Sequence, residues 1–385
     1  MDLEYNEREE AFRREARAWL EANVPDRPLP SGDTREGFAL HVAWEKKLHA
    51  ARWSAVSWPK HYGGRDASLW EWLIFEEEYY RVNAPQRVTQ NGIFLLAPTL
   101  FTFGTQAQKD RVLPAMAAAD RVWCQGWSEP GAGSDLAAIR STAVRVAGGY
   151  RLSGEKTWCT RGAFCDAMFG LFRSDPDAPA HRGLTYFMVP LDAPGVRVTG
   201  VARLDGDEGF SQVFLDDVFV ADDDVIGEVH KGWQVAMATT ASERGLTLRS
   251  PGRFRAGAQR LIDLYRRSPH RDAVLRDRVI QAFMATEAYD LYTLRSVTRV
   301  IEGESLGAES SLNKLCWSEL DVAIHETALA LLGPAAELVE GAPDAADRGS
   351  WMKGYQFALA GPIYAGTNEI QRNIVAERIL GLPRK

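Results

Sequence analysis

The stretch Ala143-Val144-Arg145-Val146-Ala147-Gly148-Gly149-Tyr150-Arg151-Leu152 decides how this chain is built. Ala143 to Val146 has the two-residue period of a strand. Gly148 and Gly149 supply the positive φ that a tight turn demands, and Tyr150-Arg151-Leu152 resumes the alternation, which predicts a β-hairpin. Moving outward, Thr185-Tyr186-Phe187-Met188-Val189 and Ser211-Gln212-Val213-Phe214-Leu215 read as further strands between turns rich in Gly, Pro and Asp. Upstream, the period is helical. Asn6 with Glu9 forms the pattern of a capping box ahead of Phe12, Ala16, Trp19 and Leu20, and Ser68 with Glu71 repeats it ahead of Leu69, Trp72 and Leu73. Thr105 is placed to cap a third segment. After Gly232 helices return, interrupted near Pro251, Pro269, Pro334 and Pro343. The expectation is an α+β chain with a helical domain at 1–120, an all-β domain at 121–228 and a second helical domain at 229–385. Strands grouped in one block, rather than alternating with helices, do not suggest a βαβ nucleotide-binding sheet.

Composition narrows the function class. With 385 residues, the chain can bury more than one core, and 45% hydrophobic with 25% charged residues is ordinary globular usage. A net charge of −7 offers no overall attraction to nucleic acid or anionic lipid. No run approaches the ~20 apolar residues needed to span a bilayer. The N-terminal Met1-Asp2-Leu3-Glu4-Tyr5 lacks the basic and apolar regions of a signal peptide. Four Cys without a CxxC pair fit a reducing cytoplasm, and seven His without an HxxxH or HExxH pattern give no support for a metal. Twelve Trp are an excess, and flat side chains in excess suit a flat ligand as well as a core.

Four places carry chemistry. Gly131-Ala132-Gly133-Ser134-Asp135 follows Ser128-Glu129-Pro130, so backbone free of Cβ lies beside the hydroxyls of Ser128 and Ser134. Trp158-Cys159-Thr160 follows a predicted strand, whose alternation would put an indole and a hydroxyl on one face, as stacking on a ring and bonding its edge requires. Thr367 is placed to cap a helix beginning in Ala365-Gly366-Thr367-Asn368-Glu369, whose N–H groups suit an anion. Finally, Trp233 to Ser242 carries no charge before Glu243 and Arg244. Glu243 shares a helical face with Ala236, Thr239, Thr240 and Thr247 and has no Lys or Arg at i±3 or i±4, so it is a candidate base. A near-match to a phosphate loop at Gly149 to Thr157 fails, because Glu155 interrupts the Gly-Lys-Thr order.

Together, and in this order, these residues resemble the acyl-CoA dehydrogenase family over essentially the whole chain. Ser128 to Asp135 and Gly366-Thr367-Asn368-Glu369-Ile370-Gln371-Arg372 are specific matches, and Gly232-Trp233-Gln234-Val235-Ala236-Met237 resembles the start of the family's substrate-lining helix. The resemblance implies a helical N-terminal domain, a central β-barrel-like domain and a C-terminal four-helix bundle. It also implies FAD-dependent α,β-dehydrogenation of an acyl thioester, with CoA or an acyl carrier protein as the thiol. Carried over by position, Gln125, Trp127, Ser128, Trp158, Thr160, Thr367 and Glu369 would hold FAD, and Ser134, Arg244 and Ala365 would meet the substrate. Many members carry the catalytic Glu where this chain has Ala365. A subset places it where Glu243 stands, so Glu243 is the expected base. An electron-transferring flavoprotein is the expected acceptor and a tetramer the expected assembly. One departure bears on that assembly. The family's Arg-x-x-Phe-Gly element, which reaches the neighbouring subunit's FAD, is missing from Arg266-Arg267-Ser268-Pro269-His270-Arg271-Asp272. A hetero-tetramer, or a half-catalytic subunit completed by a partner, is therefore an alternative to a homo-tetramer.

Overall fold

The structure is a computed structural model that describes residues 4–248, 251–304 and 307–384, with the side chains of 241–250 outside the description. Elements follow the predicted order. Helices α1 (Glu7–Asn23), α2 (Arg35–Ala50) and α3 (Leu69–Arg81) lead to a π-helical turn at Asn91–Leu96, then α4 (Ala97–Phe103) and α5 (Gln106–Ala117). Strands follow: β1 (Trp123–Gly126), β2 (Thr142–Val146), β3 (Gly149–Lys156), β4 (Ala167–Arg173), β5 (Leu184–Pro190), β6 (Val196–Val201), β7 (Phe210–Ala221) and β8 (Val225–Ile226). Helices α6 (Gly232–Leu248), α7 (Pro251–Arg267), α8 (Ala273–Ile301), α9 (Ser310–Leu332), α10 (Ser350–Ala358) and α11 (Asn368–Ile374) complete the chain. Both expected capping boxes are present, and Thr105 forms a third with Gln108. Each satisfies two N–H groups at a helix start that would otherwise be unpaired.

Two compact units emerge. A sheet unit comprises Pro25–Ala67 and Pro85–Glu243, and a helical unit comprises Met1–Val24, Ser68–Ala84 and Arg244–Lys385. In the sheet unit all eight strands form one sheet in the order β6-β7-β3-β2-β4-β5-β8, with β1 parallel to β4. The expected hairpin is β2–β3, antiparallel with Val146 opposite Gly149 and Gly148 at φ +74°. One face of this sheet encloses Cys124, Leu152, Cys159, Met168, Phe172, Phe187, Val213 and Val218, all less than 1% exposed. Burying such side chains yields about 1.5–3 kcal/mol each, which makes this core the platform for the loops above it.

In the helical unit, α7, α8 and α9 pack around Phe254, Leu261, Tyr289, Trp317, Ile324 and Leu331, with Trp351 of α10 closing the cluster. Helix α1 docks on α3 through charge: Glu78 is 1% exposed and its carboxylate accepts from Arg17 at 2.7 Å and Arg81 at 2.7 Å. Those guanidinium groups outweigh the effect of burial and hold Glu78 below the usual carboxylate range. The Trp excess also resolves. Seven of the twelve are buried (44, 53, 58, 72, 123, 317 and 351), whereas Trp158 is 60% exposed.

Candidate functional site

The sheet unit brings five of the expected ligand residues onto two neighbouring segments. Strand β1 carries Gln125 and runs into Trp127 and Ser128, and the segment following β3 carries Trp158 and Thr160. The two are joined by backbone, because the Thr157 N–H donates to the Ser128 carbonyl at 2.9 Å. The second segment is also sewn to the start of β7: the N–H groups of Cys159 and Arg161 donate to the carbonyls of Ser211 and Gly209, each at 3.0 Å.

Strand β3 ends at Lys156, so strand alternation does not place Trp158 and Thr160. Trp158 instead adopts a left-handed backbone at φ +58°, and Arg161 does the same at φ +56°. For residues with a Cβ this costs about 1–3 kcal/mol each. A buried ion network fixes the second of them. Arg161 Nε donates to Asp33 at 2.7 Å, and Arg203 reaches the other Asp33 oxygen at 2.6 Å and Asp205 at 2.7 Å. Burial pushes the Asp33 carboxyl up, but the two guanidinium groups outweigh it and hold it below its ordinary range. The segment is therefore strained, tied down and topped by an exposed indole. The Trp158 ring meets Phe210 edge-on, with centroids 5.8 Å apart.

Polar groups nearby remain unspent. Gln125 Nε2 is buried with no hydrogen-bond partner among the described residues. A Cβ placed on Gly131 or Gly133 would meet no atom within 4 Å, so the turn between Ser128 and Ser134 borders open space. Burying an amide N–H without a partner costs about 1–3 kcal/mol, which a ligand carbonyl or ring nitrogen would recover. An exposed indole, an orphaned amide and an open turn fit the isoalloxazine end of FAD. Gln125, Trp127, Ser128, Trp158 and Thr160 are the residues that would hold it.

Rigidity beneath this turn comes from a pair that sequence reasoning missed. Lys156 is completely buried, and its Nζ donates to Glu129 at 2.8 Å and to the Leu171 carbonyl at 2.7 Å. Glu129 also accepts from the N–H groups of Arg140 at 2.6 Å and Ser141 at 3.0 Å, so one carboxylate clasps both ends of the 129–141 turn. Burial works to raise the Glu129 carboxyl, but Lys156 and the two N–H donors hold it below the usual range. The Lys156 ammonium is shifted down by burial, against the pull of Glu129. The Glu-Lys-Thr run that spoiled a phosphate loop is thus the anchor of the ligand turn. No local signal in the chain pairs positions 129 and 156.

In the helical unit, Ala365 has φ +56° and Gly366 φ +80°, and Gln371 Nε2 donates to the carbonyls of both at 3.3 Å and 3.4 Å. The Ala365 N–H has no hydrogen bond within the described residues, so it is available to a carbonyl oxygen. Thr367 caps α11, accepting from the Ile370 N–H at 3.3 Å. The Glu369 carboxyl is held below its ordinary range, chiefly by its own backbone N–H and then by Thr367. Asn368 is buried and accepts from Lys314 at 2.6 Å, which locks this turn onto α9. Glu243 and Arg244 lie on α6, but their side chains fall outside the described residues. Ser134 is exposed on the open turn.

Comparison with known proteins gives one consistent picture. Models of the acyl-CoA dehydrogenase N-terminal, middle and C-terminal domains match residues 6–120, 124–218 and 230–380. The chain is 36% identical to acyl-CoA dehydrogenase IpdE1 of Mycobacterium tuberculosis, over 98% of each chain. Among solved structures it resembles the Tcur3481-Tcur3483 steroid ACAD, with TM-score 0.91, 26% identity and full coverage of both chains. It also resembles a chain of the ChsE4-ChsE5 complex from Mycobacterium tuberculosis, with TM-score 0.84, 27% identity and full coverage of both.

Proposed function

The chain belongs to the acyl-CoA dehydrogenase family of FAD-dependent oxidoreductases, and on that premise we propose how its own residues desaturate an acyl-CoA between the α and β carbons. Bound FAD supplies the acceptor for the β hydride. Everything else falls to the protein. The α proton of a thioester is too weakly acidic to leave unaided, so its carbonyl oxygen must be gripped while a base stands within reach. The unspent Ala365 N–H is the grip, and a Glu243 carboxylate oxygen takes the proton. Ser134 and Arg244 contact the thioester ligand. Gln125, Trp127, Ser128, Trp158 and Thr160 hold the ring of the cofactor, and Thr367 and Glu369 hold its ribityl-pyrophosphate or adenosine end. We assign the acyl end of the substrate to the stretch 90–97, which contains the π-helical turn at Asn91–Leu96, an irregularity common in functional segments. The division 1–120, 121–228 and 229–385 is our working set of domain limits, supported by the spans of the three family models.

The observations that carry this reading are the strained, exposed Trp158 and the orphaned Gln125 amide, on two segments joined by the Thr157–Ser128 backbone bond. The test is a purified, FAD-loaded chain mixed anaerobically with a panel of acyl-CoAs. The flavin band should bleach, and Glu243→Ala should keep FAD while losing about 10²–10⁴-fold in rate, the worth of a positioned base. Near-normal bleaching by that variant would reject Glu243.

Assembly with a different chain is the second reading, and the missing Arg-x-x-Phe-Gly element favours it. The resemblance to a steroid ACAD made of two named chains and to the ChsE4-ChsE5 complex supports a hetero-tetramer acting on bulky acyl groups. A homo-tetramer would bind FAD alone, whereas a chain that gains FAD only with its partner is the half-catalytic form. An electron-transferring flavoprotein is the acceptor in this scheme. The four free thiols support a reducing cytoplasm, and no helix among the described residues is long and apolar enough to cross a membrane.

A further inference from the structure

A chain of buried hydrogen bonds crosses the sheet unit and touches four separate elements. Trp127, just after β1, donates its indole N–H to the Tyr186 hydroxyl of β5 at 3.2 Å. That hydroxyl lies 3.4 Å from Thr239 Oγ1 of α6. Thr239 in turn lies 2.8 Å from Thr99 Oγ1 of α4. Both threonines also reach back along their own helices, Thr239 to the Val235 carbonyl at 3.0 Å and Thr99 to the Leu95 carbonyl at 2.8 Å. Tyr186 is completely buried, and Thr99 and Thr239 are each 1% exposed. The Tyr186 ring is stacked on Phe169 and met edge-on by Trp127, so it has no room to swing.

Proton counting gives this chain a property that simple packing would not. Indole N–H is only a donor, so Tyr186 accepts from Trp127 and keeps its own proton for a further acceptor, for which Thr239 Oγ1 is in range. Four further contacts need a hydroxyl proton: Tyr186 to Thr239, Thr239 to Thr99, and one from each threonine to its helix carbonyl. Three hydroxyls supply three protons. At least one of the four is therefore unmade at any moment, either the bond between the two threonines or the bond from one of them to its helix carbonyl. Hydroxyls this deeply buried are costly unless paired, so the chain is kept whole or lost together.

We propose that Tyr186, Thr239 and Thr99 are positioning residues that set α6 against the flavin-side loop, through the bond that Trp127 donates to Tyr186. Thr239 stands one helical turn before Glu243, so fixing Thr239 fixes the axial and rotational setting of the base-bearing turn. Trp127 is the residue expected to face the cofactor. The relay thus connects the two halves of the reaction, proton removal and hydride acceptance, through a single set of hydrogen bonds. This inference rests on the assignment of Glu243 as base and of Trp127 to FAD.

The test uses the full chain loaded with FAD, with its partner if loading requires one, in Tyr186→Phe, Thr239→Val, Thr239→Ser and the Tyr186→Phe/Thr239→Val double variant. Each single loss should lower kcat for acyl-CoA by about threefold to tenfold, the rate equivalent of one net hydrogen bond, with KM within twofold. Thr239→Ser, which keeps the hydroxyl, should recover most of the rate. In urea unfolding, the double variant should lose no more than the worse single variant, because Tyr186→Phe alone already strands the Trp127 indole N–H and the second substitution adds no new orphan. Fully additive losses would refute the relay. Coupling in urea with an unchanged kcat would refute positioning and leave only structure. If the parent protein binds FAD but turns over no acyl-CoA, the functional proposal fails by itself. The relay is then read in the flavin absorption band, which Tyr186→Phe and Thr239→Val should shift equally. No shift would overturn it.

Discussion

Lys156→Met is the most telling perturbation of the site's foundation. Methionine replaces most of the aliphatic volume of the lysine but none of its donors. The Lys156 side chain is 0% exposed and that of Glu129 is 9% exposed, so water cannot take over the lost partner. The substitution strands a buried carboxylate and removes a bond to the Leu171 carbonyl. Breaking a buried pair from one side costs about 3–5 kcal/mol. Glu129 keeps its bonds from Arg140 and Ser141, which places the cost near the low end, about 3 kcal/mol or a factor of about 150 in the folding equilibrium. The penalty belongs to the orphaned charge, so Lys156→Met/Glu129→Gln should be more stable than Lys156→Met alone. Equilibrium urea unfolding followed by tryptophan fluorescence measures both. FAD content of the folded protein reports whether the 129–141 turn has moved. A loss under about 1 kcal/mol, or a double variant weaker than the single one, would show that the pair is not what holds the turn.

Trp158→Ala removes a ring that is 60% exposed, so thermal stability should hold or rise while FAD affinity falls about tenfold, as loss of an aromatic stacking partner implies. Equilibrium dialysis against FAD beside a melting curve separates the two, and unchanged affinity would remove Trp158 from the site. Acid should act with opposite sign on two sets of carboxyl groups. In the sheet unit Asp33 and Glu129 are held below their ordinary values, so their stabilisation is complete above about pH 4 and is lost as pH falls through their depressed folded values. In the helical unit Asp290 is pushed up to about 6, first by burial and then by Glu77 and Glu287, against the pull of Arg255. A raised carboxyl binds its proton more tightly in the folded state, so Asp290 costs stability above pH 6 and that cost fades as pH falls toward about 4. Asp290→Asn should flatten the slope between pH 4 and 7 in circular dichroism melts, and an unaltered slope would contradict the assignment.

Local information in the chain was enough for most of the architecture. Capping boxes at Asn6, Ser68 and Thr105, the Gly148-Gly149 turn and the change of period after Arg121 act over a few residues, where side chain and backbone compete directly for the same N–H groups. Those signals gave the order of helices, strands and helices, and the ordered motifs gave the family. They failed at Trp158, because a left-handed residue is held by what lies opposite it and not by its neighbours in sequence. Arg161 needs Asp33, and Glu129 needs Lys156. The Trp127–Tyr186–Thr239–Thr99 relay spans residues 99 to 239.

The sequence by itself therefore determined which elements form and which residues are chemically able to serve FAD and an acyl thioester. Only the tertiary structure decided which of them are unspent among the described residues: the exposed indole, the orphaned Gln125 amide and the Ala365 N–H. The physical reason is range. Hydrogen-bond competition within a turn is encoded in adjacent residues, whereas whether a buried charge or hydroxyl is satisfied depends on partners that burial in a low-dielectric core brings together from distant parts of the chain.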